Sequence, residues 1–178
     1  MSPFGLLSLF PLLFMLIYAA VEDLRSRRIH NWLTFSMILT GLLRPLLLGP
    51  PHTFWHAALG MLVGAGLPLI LFILGAVGGG DVKLLAGIGA WLGPYPAFEV
   101  FCLEAIFGMI IVLVQAIAQG RLVTLSRNSA LLAMNLVHIT DVGLEHVTAT
   151  GQSTRTAEKR LPYAVPVLLA VAVVLIFG

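Results

Sequence analysis

The sequence has little charge and almost no cysteine. Charged residues make up 10% of its 178 residues, whereas ordinary soluble domains carry about a quarter. The sequence contains no dense basic stripe of the kind that binds nucleic acid, so we expect no nucleic-acid partner. A single cysteine, Cys102, excludes an internal disulfide and a CxxC zinc site. We therefore expect no metal and no other cofactor.

Long apolar stretches dominate what remains. Hydrophobic residues make up 59% of the chain, and the mean hydropathy of +1.01 is typical of an integral membrane protein. The sequence predicts an all-α, polytopic membrane protein with about six spans, forming a single domain over residues 1–178. The predicted spans are residues 3–21, 32–48, 54–77, 81–93, 97–118 and 161–177. The fourth is short and carries Gly87 and Gly89, which predict close approach of neighbouring helices.

The basic residues predict the orientation of these spans. Nine of the ten lie in three loops on one side, at about residues 22–31, 78–83 and 119–160. They are Arg25, Arg27, Arg28, Lys83, Arg121, Arg127, Arg155, Lys159 and Arg160. Because basic loops face the cytoplasm, this side is predicted to be cytoplasmic and both termini to lie outside. No basic residue precedes the first apolar stretch, so we expect a retained span rather than a cleaved signal.

Two aspartates at the cytoplasmic edge are the candidate catalytic residues. Asp81 follows three glycines at the start of the fourth helix, where it could simply cap the helix. Asp23 follows the first span, where it could belong to a solvated loop. A pair of carboxylates facing the same side can activate water for aspartyl proteolysis, one as base and the other as acid. The helix ends favour Asp81 as the base and Asp23 as the acid.

Three segments resemble one family. Residues 78–84, Gly-Gly-Gly-Asp-Val-Lys-Leu, resemble the GxGD region of type IV prepilin peptidases. Residues 23–34 resemble the first aspartate segment of that family, with His30 where proline is usual. Leu161-Pro162-Tyr163 resembles the opening of the last span of these peptidases.

The resemblance implies an aspartic endopeptidase of the bacterial inner membrane that removes the basic leader from prepilins at the cytoplasmic face. Asp23 and Asp81 would be the catalytic pair, with Gly78, Gly80 and Lys83 as supporting motif residues. Longer members carry an N-terminal domain with paired CxxC motifs and methylate the new terminus. The chain is similar to the short form of Tad/Flp pili, for which we expect no methylation. Membrane lipid is the second expected partner, through the basic edge that includes Lys83.

Other functions use the same residues. A GxGD protease could act on preflagellins or on another membrane substrate, and a proton-coupled transporter could use the same carboxylates. A non-catalytic membrane scaffold would need neither. Arg44, inside the second span, is expected to pair with Glu99 or Glu104 for structural reasons. The sequence leaves open the substrate, the leader-binding residues, the oligomeric state and whether the carboxylate pair is assembled without substrate.

Overall fold

A computed structural model describes residues 9–26, 29–48, 52–73, 77–118, 120 and 163–177. Across these residues the regular structure is entirely helical, with six helices. We number them α1 (Phe10–Ser26), α2 (Asn31–Leu48), α3 (His52–Ile73), α4 (Gly79–Leu92), α5 (Pro94–Ala118) and α6 (Ala164–Phe177). The predicted all-α architecture of about six helices is confirmed. Apart from residue 120, the predicted loop at residues 119–160 lies outside the described residues, as do the basic residues Arg27 and Arg28.

Two of the described helices are long and apolar enough to cross a membrane, Thr53–Ile73 within α3 and Pro94–Gln115 within α5. Large apolar side chains cover the outer surface of the bundle, as Phe35, Leu62 and Met109 illustrate on three different helices. A soluble monomer does not expose contiguous apolar surface on this scale. The chain is therefore a polytopic membrane protein.

Helix α4 forms the centre of the bundle. Its residues 84–91 are all buried, and it packs mainly against α3 and α2, with α5 beyond its C-terminal end. A helix buried on every side needs apolar residues all round, which explains why its sequence lacks an amphipathic pattern. The short, closely packed fourth helix predicted from the sequence is present.

Glycines determine how closely the neighbours approach α4. A Cβ atom on Gly60 of α3 would collide with the carbonyl oxygen of Gly89, and one on Gly64 would collide with that of Leu85. On the opposite side, a Cβ on Gly87 would lie 2.9 Å from the Cβ of Met37 in α2. The predicted role of Gly87 and Gly89 in close packing is confirmed, with Gly60 and Gly64 as their unpredicted partners.

A single glycine turns the chain from α4 into α5. Gly93 has a φ of 91°, which an L side chain rarely adopts, and its N–H donates to the carbonyl of Gly89 at 2.8 Å. Helix α5 begins at Pro94, three residues earlier than predicted, because proline fits the first turn of a helix.

The end of α1 differs from the prediction. Helix α1 continues to Ser26, where the sequence predicted a loop from residue 22. The basic Arg25 lies in this last turn, where it suits the negative end of the helix. Helix α2 continues through Pro45 and ends at Leu48, as predicted.

Candidate active site

The Asp81 carboxylate lies in the first turn of α4. Gly78 precedes the helix in an extended conformation, with φ −84° and ψ 151°, and occupies the N-cap position. The N–H of Gly78 donates to Oδ2 of Asp81 at 3.0 Å. Asp81 is thus the third helical residue, and its side chain takes part in a capping box by accepting the N–H of the N-cap residue. The backbone turn holds its half-buried carboxylate at the positive end of α4.

The Asp23 carboxylate lies in the last turn of α1 and is buried, with 5% of its surface exposed. Its Oδ2 accepts a hydrogen bond from the N–H of Ala164 at 2.9 Å. Ala164 is the first residue of α6, so Asp23 faces the positive end of another helix. The predicted assignment of Asp23 as acid assumed only the negative end of its own helix. Because both carboxylates face helix N-termini, the helix ends do not distinguish base from acid.

Two contacts join the start of α4 to the segment that follows Asp23. Lys83 donates from Nζ to Oδ1 of Asn31 at 3.0 Å. A Cβ on Gly80 would lie 3.9 Å from the Cβ of Ile29, an ordinary van der Waals distance. The GxGD turn therefore packs on the residues that open α2. Through these two contacts, Gly80 and Lys83 join the GxGD segment to the first aspartate segment.

A tyrosine and a glutamate complete the surroundings of the two aspartates. Tyr163 donates its hydroxyl to Oε1 of Glu104 at 2.5 Å, and Glu104 is buried within α5. The Asp81 carboxylate is close enough to act through its charge on both Glu104 and Tyr163. Ala164 follows Tyr163, so the residue bonded to Asp23 is adjacent to a residue within electrostatic range of Asp81.

Asp81 and Glu104 are nearly equidistant from Gly93 along the chain. Asp81 precedes Gly93 by twelve residues and Glu104 follows it by eleven, so each lies about 17 Å from the turn along its own helix. Helix α5 continues to Ala118, about 21 Å beyond Glu104 at the usual rise per residue. Glu104 therefore lies well inside α5 and not at its end.

Sequence reasoning missed Glu104 and Tyr163 as members of this site. It assigned either Glu99 or Glu104 to a structural pair with Arg44. Glu104 accepts a hydrogen bond from Tyr163, and the Arg44 guanidinium lies over the Trp91 ring, 5.4 Å from its centre. The pairing of Arg44 with a glutamate stays a prediction. An acidic residue inside an apolar span is a functional signal by itself, and that signal could have identified Glu104.

His30, which replaces the proline usual in the resembling family, takes part in a local bond network. Its Nδ1 lies 2.5 Å from Oε1 of Glu22, and its backbone N–H donates to Oε2 of the same side chain at 3.4 Å. A proline could not supply this N–H. The Glu22 contact closes the turn between α1 and α2 just beyond Asp23.

The site contains the groups that acid–base hydrolysis needs. Two carboxylates are each bound by a backbone N–H, and a further carboxylate and a phenol lie beside them. Such a set can take a proton from water and give one to a carbonyl oxygen. Among the described residues, no group of three or more His, Cys, Asp and Glu could hold a metal ion. Independence from cofactors stays a prediction.

Comparisons with known proteins point to the same chemistry. The model of the type IV leader peptidase family matches residues 10–113, which include both aspartates. A preflagellin peptidase of Methanocaldococcus jannaschii is 36% identical over 84 residues, covering 45% of this chain and 36% of that protein. A preflagellin peptidase of Methanococcus voltae is 32% identical over 90 residues, covering 48% and 38%. The matched stretch is thus less than two fifths of each relative. No solved structure matches the chain.

Proposed function

The chain belongs to the type IV leader peptidase family, and from this premise we propose that it is a membrane aspartic endopeptidase. Its proposed reaction is removal of the basic leader from type IV prepilins of the Tad/Flp kind, at the cytoplasmic face of the bacterial inner membrane. The observation that supports the proposal most directly is the hydrogen bond between Asp23 and Ala164 at the start of α6, with Asp81 in electrostatic range of the adjacent Tyr163.

The proposed reaction uses both carboxylates and one water. The ionised carboxylate takes a proton from the water as its oxygen attacks the scissile carbonyl carbon. The protonated carboxyl gives its proton to the carbonyl oxygen, and a tetrahedral intermediate forms. Collapse of the intermediate breaks the C–N bond, and the leaving nitrogen receives a proton. Two neighbouring carboxyls share a proton because both cannot ionise cheaply, so they suit these two roles.

The position of the two aspartates at helix ends suggests how a membrane substrate could reach them. A prepilin leader is followed by an apolar helix, and that helix could lie along the apolar outer surface of the bundle. Its leader would then enter at the cytoplasmic end, where Arg25 and Lys83 are exposed. Like charges do not attract a basic leader, so we propose that these two residues bind lipid phosphates.

Preflagellin cleavage is the second candidate function. Both relatives described above are preflagellin peptidases. Such a substrate would use the same carboxylates and the same water, so the site geometry does not separate the two. Comparing the cleavage rates of a prepilin and a preflagellin by the same purified protein would separate them.

Our first prediction concerns Asp23→Asn and Asp81→Asn. Each should lower the cleavage of a prepilin in vesicles by about 10²–10⁴-fold, because each removes one partner of the acid–base pair. The measurement is the rate of leader release by the purified full chain. The matched control is Glu99→Gln, which removes an acidic group nearer the opposite end of α5. This variant should cleave like the wild type. Cleavage retained by either Asp variant would exclude the mechanism.

The same variants test the transporter alternative. A transporter predicts that Asp23→Asn or Asp81→Asn stops proton flux into vesicles while prepilin processing continues. The peptidase predicts the opposite pattern, with processing lost and no proton flux in the wild type to lose.

A further inference from the structure

We propose that Glu104 and Tyr163 form a positioning pair that holds the first turn of α6 against Asp23 and so sets the geometry of the two catalytic aspartates. This inference rests on the proposed function and assigns that site two further residues. Neither residue is part of the GxGD turn or of the first aspartate segment. Tyr163 also lies outside the residues that the family model matches.

The pair acts through two adjacent residues of the backbone. The Tyr163 hydroxyl is bound to Oε1 of Glu104 in α5 at 2.5 Å. The next residue, Ala164, donates its N–H to Oδ2 of Asp23 in α1 at 2.9 Å. One side of this dipeptide is thus fixed on α5 and the other on the proposed catalytic carboxylate. A displacement of Tyr163 would therefore change the bond to Asp23.

The other aspartate is coupled to the same pair. Asp81 lies within electrostatic range of both Tyr163 and Glu104. The pair is therefore bonded next to Asp23, through Ala164, and lies within the range of the Asp81 charge. It is placed to fix their relative positions.

Burying the Glu104 side chain is energetically costly for a contact with a purely structural role. Only 5% of its surface is exposed, although it lies within a membrane span. Its Oε2 atom is buried without a hydrogen-bond partner among the described residues. A buried polar atom left unsatisfied destabilises the fold, and natural proteins accept such costs mainly at functional sites. The unsatisfied oxygen lies in the same side chain that binds Tyr163.

The fold does not depend on this hydrogen bond to keep α6 in place. Val100 of α5 and Val167 and Val171 of α6 are fully buried in the shared apolar core. That packing holds α6 against α5 without any polar contact. Loss of the Tyr163 hydroxyl should therefore leave the bundle assembled while the position of Ala164 becomes less restricted.

Our second prediction separates a positioning role from a structural one by kinetics. Tyr163→Phe keeps the ring and removes the donor, so kcat for prepilin cleavage should fall about ten- to a hundredfold, the effect of a lost hydrogen bond to a charged or developing-charge site. KM should change less than about twofold, because the substrate helix binds elsewhere. Tyr95→Phe, an exposed tyrosine in the first turn of α5, is the matched control and should behave like the wild type.

Substitutions at Glu104 provide the rescue test. Glu104→Gln keeps an oxygen that can accept from Tyr163, so its kcat should stay within a few-fold of the wild type. Glu104→Leu removes the acceptor and should lower kcat as far as Tyr163→Phe does. The double variant Tyr163→Phe/Glu104→Leu should be no slower than either single variant, because both remove the same bond. Additive losses would contradict the pair.

A second measurement tests the inference without any cleavage assay. Hydrogen–deuterium exchange at the start of α6 in the purified full chain should be faster in Tyr163→Phe and unchanged in Tyr95→Phe. Unchanged exchange together with wild-type kcat in Tyr163→Phe would overturn the positioning role. Failure of the proposed function is recognised separately, because the wild type would then cleave no prepilin. The exchange measurement would still decide the role of the pair.

Discussion

At the scale of single residues, each proposed catalytic carboxylate is positioned by a backbone N–H at the start of a helix. Gly78 serves Asp81 and Ala164 serves Asp23. Backbone donors at helix N-termini are rigid and carry the partial positive charge of the helix. They can hold an ionised carboxylate at the membrane edge.

Our third prediction concerns Gly78→Ala. A Cβ at this position would lie 3.0 Å from Oδ2 of Asp81, tighter than normal contacts allow, so the carboxylate must shift by a few tenths of an ångström. Cleavage should fall about tenfold, because misplacement of a catalytic group by about 1 Å can cost about a hundredfold. The measurement is kcat/KM on the same prepilin in vesicles.

Gly79→Ala is the matched control for this prediction. Its Cβ would meet the Phe72 ring at 3.5 Å, an ordinary contact. We expect cleavage within about twofold of the wild type, since a helical alanine is also favourable. Equal losses in the two variants would show that the turn tolerates no side chain anywhere, and the specific contact with Asp81 would then not be the cause.

At the scale of elements, the packing of α4 determines where the Asp81 carboxylate lies. Its glycines let α3 approach closely, and the indole of Trp91 donates from Nε1 to the carbonyl of Met37 at 3.0 Å in α2. In a membrane, close van der Waals packing and interhelical hydrogen bonds provide most of the energy by which helices associate. The position of Asp81 therefore depends on how α4 packs against α2 and α3.

Our fourth prediction tests the seating of α4. Gly60→Ala places a methyl group against the carbonyl of Gly89, so the free energy of unfolding should fall by about 1–3 kcal/mol, the usual cost of overpacking. Gly66→Ala on the same helix meets nothing within 4 Å and should be neutral or slightly stabilising. Thermal unfolding in one detergent compares the two variants. Equal stability would show that α3 and α4 do not require their close contact.

At the scale of the whole molecule, the bundle brings the two aspartates to one end. Asp23 lies at the end of α1, Asp81 at the start of α4 and Tyr163 just before α6. The hydrogen bonds between Lys83 and Asn31 and between Ala164 and Asp23 join these three segments. The basic residues predict that this face is cytoplasmic. The orientation and the position of both termini are proposals.

Our fifth prediction concerns this orientation. Three helices separate Arg25 from Tyr95, so the two exposed positions should lie on opposite sides of the membrane. In a Cys102→Ser background, Arg25→Cys should react with an impermeant maleimide only from the cytoplasmic side. Tyr95→Cys should react only from the other side. The reverse pattern would place the dyad on the outer face and contradict cleavage at the cytoplasm. Removal of Cys102 avoids background reaction at this exposed thiol.

The amino-acid sequence alone predicted the all-α class and the two candidate aspartates. Apolar runs long enough for a membrane leave few alternatives to helices, because the backbone must satisfy its own hydrogen bonds there. Acidic residues at the edge of such runs are costly, and this cost identified Asp23 and Asp81. The helix ends were less predictable, because capping by Gly78 and the continuation of α1 past Asp23 depend on local bonds.

Only the tertiary structure revealed the partners of these aspartates. Ala164 is 141 residues from Asp23 in sequence, and Tyr163 is 59 residues from Glu104. No periodicity or local motif encodes contacts across such distances. A backbone N–H has no side-chain signature that could identify Ala164 as a donor. The sequence determined which residues could perform the chemistry, whereas the packing of α6 against α1 and α5 decided which groups surround them.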